Sequence, residues 1–448
     1  MSCTAYRFPA NNKVLGALAW ALLASGLFAP ARALASRAPK RGGVLQVEIR
    51  ERIASFDPRQ WPQDSTPAAA NERVDSLLFD RLVRFDDRGA IEPALAVSWK
   101  HDASSKRWQF HLRSGVKFSD GAPLTPEIAA IALQQLLGNT FDVSATSDSV
   151  VIQADQSLPN FPSQLATGRY FIFHAANDGS LAGTGPFSVG EWPAGDSPAK
   201  IILLANKSCW AGRPFVDKIE LAMGVDPQQQ GNAIAFGQAD VVELPASQVR
   251  REAQRGVRTA SSDSVELMAL QLDPARPAVQ DVRIRQAISL AIDRASIADV
   301  ILQRQGIATG SLLPNWISGY AHLFPIASDP ARAKALLMAA GREVSPHVPL
   351  VLIYDSTDEE ARAVAERVAV NLNAVGIAVQ ASGQPEAGRP APTADLRLVR
   401  RRMATPDLRT TLAALLNSFG EPAADLETPE ETYAAERAPI DNFRVIPL

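Results

Sequence analysis

The chain has 448 residues, 46% of them hydrophobic and 21% charged, a globular composition that at roughly 100 to 200 residues per domain allows two or three compact units. Its formal net charge is −3 and its only cysteines are Cys3 and Cys209. Those figures argue against a disulfide-stapled scaffold and against nonspecific nucleic-acid binding.

At the N-terminus, Arg7 and Lys13 precede an apolar run from Val14 to Phe28, and Ala33-Leu34-Ala35 offers small residues at a cleavage spacing. Residues 1–35 therefore read as a signal peptide, since a run of about 15 apolar residues is short for a spanning helix of ~20. Cys3 lies upstream of the run, out of place for a lipid-bearing cysteine. Removing the leader takes away Arg7, Lys13 and Arg32 but no acid, so the −3 of the whole chain becomes −6. It also leaves Cys209 as the single thiol, with no partner for a disulfide and too few thiolates for a structural metal site.

Val44 to Ile49 alternates as a first strand and leads into a turn at Ser55-Phe56-Asp57-Pro58. Val74, Leu77, Leu78 and Leu82 form a helical stripe. Trp108, Phe110 and Leu112 alternate on one face of a strand, and Asp120-Gly121 is a strong turn pair, which together predict a β-meander. Thr125-Pro126-Glu127 supplies an N-cap, a proline at the first helical position and an acid in the first turn, opening a helix through Ile128, Ile131 and Leu136. Val150 to Ile152 reads as a strand. Gly183-Thr184-Gly185-Pro186 reads as a tight turn and not as a phosphate loop, because Pro186 removes a backbone donor and no helix follows. A helix reads over Asp226 to Phe236 and a strand near Leu267 to Leu272.

Asp281 can cap a helix in which Ile284, Ala287, Ile288, Ala291 and Ile292 share one face. Asp293 then caps a second helix, with Ile297, Val300 and Ile301 facing inward and Arg294 outside. Asp329-Pro330 opens another helix ending at Gly341. Val348 to Tyr354, the helix from Asp358, and Ile377 to Gln380 make a strand-helix-strand unit, so the second half is mixed α/β. Gln384 to Thr393 reads as a loop and Glu421 to Glu431 as an acidic linker.

No catalytic motif appears: there is no Gly-x-Ser-x-Gly after the leader, no His-Glu-x-x-His and no Walker-type loop. The five histidines (His101, His111, His174, His322, His347) are scattered without ligand spacing. Cys209 beside Trp210 reads as a packed residue. Arg397, Arg400, Arg401 and Arg402 read either as a solvated basic face or as a receptor for a carboxylate. Asp273 before Pro274 is either a turn cap or a ligand contact. Phe56, Trp316 and Tyr320 are either core or cleft wall.

Several stretches together resemble the bacterial extracellular solute-binding proteins of ABC importers, family five. They are Asp281-x-Arg283-x-Arg285-x-Ala287 with Ala291-x-Asp293-Arg294, Glu92 to Trp99, Trp108 to Arg113, Gly115 to Gly121, Gly183 to Phe187 and Gly237 to Val242. The resemblance covers most of residues 41–380. It implies an α/β, two-lobed periplasmic-binding-protein-like fold with mixed sheets and an interlobe cleft. Lobe one would span 41–262, with a subdomain at about 61–182, and lobe two would span 263–448, C-terminally shortened relative to the family. The function it implies is capture of a small peptide or similar solute in the periplasm, as a monomer without cofactor. Delivery would go to an ABC permease and ATPase at the inner membrane. Ligand contacts are expected among Phe56, Asp57, Asp273, Trp316, Tyr320, Arg400 and Arg401. The segment over 395–403 lacks the Trp and acid with which peptide-binding members hold an α-ammonium. A sensory or protein-interaction module and, less favoured, an extracytoplasmic enzyme remain alternatives on the same scaffold.

Overall fold

The computed structural model describes residues 41–61, 65–86, 89–176, 179–192, 200–263, 265–320, 323–341, 349–384, 394–403, 405–423, 426 and 428–448, without the side chains of 65–69. The leader assigned to 1–35 lies outside these residues, as does the expected loop beyond Gln384.

The first strand, β1 (Val44–Glu48), sits inside a five-stranded sheet. Asp57 ends the following turn by capping a 3-10 helix, Pro58–Gln60, and helix α1 spans Ser65–Leu78. A meander follows: β2 (Val83–Phe85), β3 (Ile91–Pro93), β4 (Ala96–His101) and β5 (Arg107–Leu112). Helix α2 (Pro126–Leu137), β6 (Phe141–Ala145) and β7 (Ser149–Ala154) complete an antiparallel sheet of order β4-β5-β7-β6. Trp108, Phe110 and Leu112 face its core as their alternation requires. Thr125 caps α2 as expected, but the inward face differs. Ile131 is 60% exposed, while Ala129, Ala130, Ala132, Leu133 and Leu136 are buried. Three alanines let the helix lie close on that side, and this outweighs the larger isoleucine.

After helix α3 (Phe161–Leu165) and the short pair β8 (His174–Ala175) and β9 (Leu181–Ala182), the chain returns to the first sheet with β10 (Phe187–Glu191), β11 (Lys200–Ala205) and β12 (Lys218–Ala222). Helix α4 (Pro227–Ala235) and β13 (Val241–Val242) complete the order β10-β11-β12-β1-β13, with β1 parallel to β12 and β13. The glycines at 183 and 185 have a reason beyond a turn. A Cβ at Gly183 would lie 1.9 Å from the Leu78 carbonyl oxygen, and one at Gly185 would lie 2.6 Å from the Leu78 carbonyl carbon. The end of α1 rests on bare backbone there, and Gly185 N–H donates to Leu78 O at 3.0 Å.

Helix α5 (Ala246–Gln254) precedes the second five-stranded sheet. It opens with β14 (Glu266–Leu272), followed by helix α6 (Val282–Ala291), a short turn Arg294–Ser296 that runs into a π-helical turn Ile297–Ile301, helix α7 (Asn315–Ser318) and helix α8 (Pro330–Ala339). Then come β15 (Leu350–Asp355), helix α9 (Glu359–Ala374), β16 (Val379–Gln384), β17 (Leu396–Arg402), helix α10 (Leu408–Ser418), helix α11 (Pro429–Asp441) and β18 (Val445–Pro447), giving the order β16-β15-β17-β14-β18. The parallel β15-α9-β16 unit is the one read from sequence. This sheet is covered on both faces. Leu270 and Leu272 join a core with α6, α8 and α9, whereas Leu267 and Ala269 pack against Leu312, Leu313 and α10. Among the described residues, strands of the first sheet all precede residue 243 and those of the second all follow 265.

The opening corner of the second lobe has its stripe buried as expected, and Asp281 accepts from Arg283 N–H. The expectation for Arg294 is corrected. It is 3% exposed, and its guanidinium donates to Pro447 O at 2.7 Å, Ser289 O at 3.2 Å and Ser289 Oγ at 3.1 Å. Arg285 is likewise buried, donating to Asn442, Val279 and Gln280 carbonyls. Arg294 ties the corner to the last strand and Arg285 ties it to the end of α11, each by satisfying backbone carbonyls, a role a 3.6-residue pattern does not register. Val300, expected inside, is 60% exposed because the π-helical turn alters the periodicity. The acidic linker over 421–431 is also corrected. Glu421 is buried and paired with Arg444, and a Thr428/Glu431 capping box starts α11.

Candidate functional site

A cleft of about 900 Å³ opens where the two sheets' segments meet. One wall comes from the end of β1 (Arg50, Glu51), Arg73 of α1 and the β13 region (Asp240 to Leu244). The other comes from the start of β14, residues 305–315, Tyr320, Glu360 at the start of α9, and Arg400 and Arg402 of β17.

On each wall a cluster of charges is paired. Glu243 accepts from the Arg50 backbone N–H at 2.9 Å and from the Arg73 guanidinium, which also reaches Glu51 at 3.5 Å. Arg400 donates to Asp358 at 2.9 Å, Glu266 at 3.0 Å and Glu360 at 3.0 Å, and Arg402 stands 3.8 Å from Glu266. Burial opposes the Arg400 charge, but the Asp358, Glu266 and Glu360 carboxylates outweigh it and hold the guanidinium above its ordinary pKa. Strand alternation explains the division of the arginine run: Arg400 and Arg402 face the cleft, while Arg401 points the other way and donates to the Arg400 carbonyl at 3.2 Å.

Behind the second wall stands Glu436 of α11, fully buried. Its carboxylate accepts from Leu312 N–H at 2.7 Å and Leu313 N–H at 3.0 Å, and the Tyr320 hydroxyl bonds to its other oxygen. Burial raises its pKa to about 7 against the lowering effect of the two backbone donors. Tyr320 also meets the Tyr433 ring edge-on at 5.9 Å.

Of the seven expected contacts, Tyr320 and Arg400 line this cleft. Phe56 instead packs edge-on against Trp192, with centroids 4.5 Å apart. Asp57 is clasped by Arg59, which holds its carboxyl below the usual range although burial pushes the other way. Asp273 is exposed and caps its turn through Ala275 N–H at 2.9 Å. Trp316 is 43% exposed on α7, whose neighbouring Asn315 lines the cleft. Sequence reasoning missed Glu243, Glu360 and Glu436. The first two are acids next to a strand end and a helix cap, a signal that was present, whereas Glu436 is marked only by contacts more than 110 residues away. Cys209 is buried, and burial raises its thiol pKa.

Two lobes of mixed α/β sheet around a charge-lined cleft define a solute-binding protein of the periplasmic-binding type. The profile of the bacterial extracellular solute-binding proteins, family 5, matches residues 90–428, and the chain belongs to that family of solute-binding, non-enzymatic proteins. It is 27% identical over 348 residues to the nickel-binding periplasmic protein of Escherichia coli, spanning 69% of this chain and 66% of that protein. It is 22% identical over 366 residues to the dipeptide-binding protein of the same organism, spanning 70% and 68%. The matched region thus covers about two thirds of these relatives' length. Among solved structures, NikA from Brucella suis in complex with Fe(III)-EDTA superposes with a TM-score of 0.77 at 19% identity, covering 91% of this chain and 93% of that one. Haemophilus influenzae OppA complexed with RPPGFSPFR gives a TM-score of 0.69 at 18% identity, covering 92% and 93%. Among the described residues no helix is long and apolar enough to cross a membrane.

Proposed function

We propose that this chain captures a small zwitterionic solute, a short peptide or similar molecule, and delivers it to an ABC permease and ATPase. In this reading it works in the periplasm as a monomer behind a cleaved leader of residues 1–35. Lobe one is 41–262, with its subdomain at about 61–182, and lobe two is 263–448. One observation carries the solute class: the cleft lining is electrically balanced. It contains six arginines, Arg50, Arg73, Arg258, Arg294, Arg400 and Arg402. Against them stand six acids, Glu51, Asp240, Glu243, Asp263, Glu266 and Glu360. A polyanion or a bare cation gains little from such a lining, whereas a solute carrying both charges can exchange partners with existing ion pairs. Tyr320 and Arg400 are the expected contacts that fit this reading; Phe56, Asp57, Asp273, Trp316 and Arg401 would act from outside this cleft.

The test is native mass spectrometry of the purified protein, then titration calorimetry with a defined set of di- and tripeptides. Retained or acquired peptide mass with saturable binding supports the reading. A folded protein that takes none of the peptides but binds nickel, haem or another solute overturns the peptide assignment.

A further inference from the structure

We propose that Glu360 and Gln303 form a latch that holds the two lobes closed over the cleft by gripping the first turn of α5, a helix with no cap of its own. α5 begins at Ala246 behind Pro245, which provides no side-chain acceptor. The first N–H groups of a helix need acceptors and favour negative charge. Here the acceptor comes from the other lobe: Ala246 N–H donates to Glu360 Oε1 at 2.7 Å. The second oxygen of Glu360 takes the Arg400 guanidinium at 3.0 Å, so the carboxylate is fixed in place from behind.

The second arm is Gln303, whose Nε2 donates to Ser247 O at 3.1 Å. Gln303 and Arg304 have φ of 49° and 66°, left-handed conformations that neither residue favours. They follow the π-helical turn, where Arg304 N–H is satisfied by Ala298 O at 2.8 Å. Strain of this kind persists where the surroundings impose it and gathers at working sites. Its effect here is to put the Gln303 amide over α5. The grip has purchase because α5 belongs to the first lobe's packing: Gln248 and Arg251 lie against Gly231 of α4.

Opening the cleft by moving the lobes apart breaks both arms. The fraction of molecules in the closed form multiplies directly into the affinity for any solute that is bound in that form. Glu360 and Gln303 are positioning residues in this scheme and need not touch the solute. The consequence for affinity rests on the solute-capture reading; the latch itself does not.

The test therefore uses the full chain with no solute. Dyes on Lys207→Cys in the first lobe and Val370→Cys in the second, with Cys3 and Cys209 replaced by serine, report the interlobe distance by single-molecule energy transfer. Glu360→Ala and Gln303→Ala should each raise the open-to-closed ratio roughly threefold to tenfold, the effect of losing one helix cap, and the double variant should raise it further. Glu359→Gln, the exposed neighbour, should change nothing. A double variant that keeps its circular dichroism and shows the unaltered distance distribution overturns the latch. A protein that binds no peptide but responds as described refutes the solute class and leaves the latch standing.

Discussion

Replacing Glu436 with glutamine should remove a pH dependence of stability that the native chain carries. The folded carboxyl has a pKa of about 7, raised by burial from 4.5. The unfolded chain releases this proton at the ordinary value. Between roughly pH 4.5 and 7 the folded form therefore holds more protons than the unfolded form, and stability falls as pH rises through that window. The full loss above it corresponds to 7 − 4.5, about 2.5 pKa units, or on the order of 3 kcal/mol. Glutamine mimics the protonated acid: its amide oxygen accepts from Leu312 and Leu313 and its NH2 faces the Tyr320 hydroxyl. Urea unfolding of both proteins, followed by tryptophan fluorescence from pH 4.5 to 8, isolates the effect. Carboxylates with lowered pKa, Asp57 and Glu220 among them, pull the other way and cancel in the difference between the two proteins. The glutamine variant should gain on the native chain by about 3 kcal/mol across the window. A difference that stays flat with pH would refute the buried-acid reasoning.

Three further expectations are local. Gly185→Ala places a Cβ 2.6 Å from the Leu78 carbonyl carbon, against backbone that cannot yield, and should cost about 2–4 kcal/mol in denaturant titration; a loss under about 0.5 kcal/mol would mean that α1 shifts freely. Leu133→Ala, at a fully buried position, should cost about 2–5 kcal/mol, whereas Ile131→Ser, only two residues away, should stay within about 0.5 kcal/mol. Reversal of that order would show that the inward face of α2 is the one read from sequence. Asp281→Ala removes the cap of α6 and should cost about 1 kcal/mol, measured as the shift in the urea midpoint.

What could be read from the chain was whatever local chemistry decides. Thr125, Asp281, Asp293 and Asp329 each cap the element they precede, because a short acceptor side chain before a run of helix formers has few other uses. Alternation placed Trp108, Phe110 and Leu112 correctly for the same reason. The failures arise where the partner is remote. Arg294 looked like an outward charge because its acceptor, Pro447 O, lies 153 residues on. Ile131 looked inward because hydrophobicity was weighed without the close approach that three alanines permit. At the cleft, the arginine run was visible, but the acids that pair with it at 266, 358 and 360 come from two other elements. Family resemblance supplied the two lobes; no periodicity could have done so.

The pairing of Arg400 changes what the arginine run can mean. A free cluster of guanidinium groups would hold any anion that entered, and specificity would be poor. Glu266, Asp358 and Glu360 already occupy the Arg400 donors, so an arriving carboxylate must displace one of them and leave it a new partner. A solute that brings an ammonium alongside its carboxylate supplies that partner itself, and one that brings only negative charge leaves a partly buried acid stranded at a cost. The same Glu360 that would be displaced also accepts from Ala246 N–H at the start of α5. In the proposed scheme, solute exchange at Arg400 and release of the latch would therefore be coupled through one carboxylate. Glu360→Ala should weaken discrimination between zwitterionic and purely anionic solutes, read by titration calorimetry, as well as loosening closure, and the two effects should appear together in one variant.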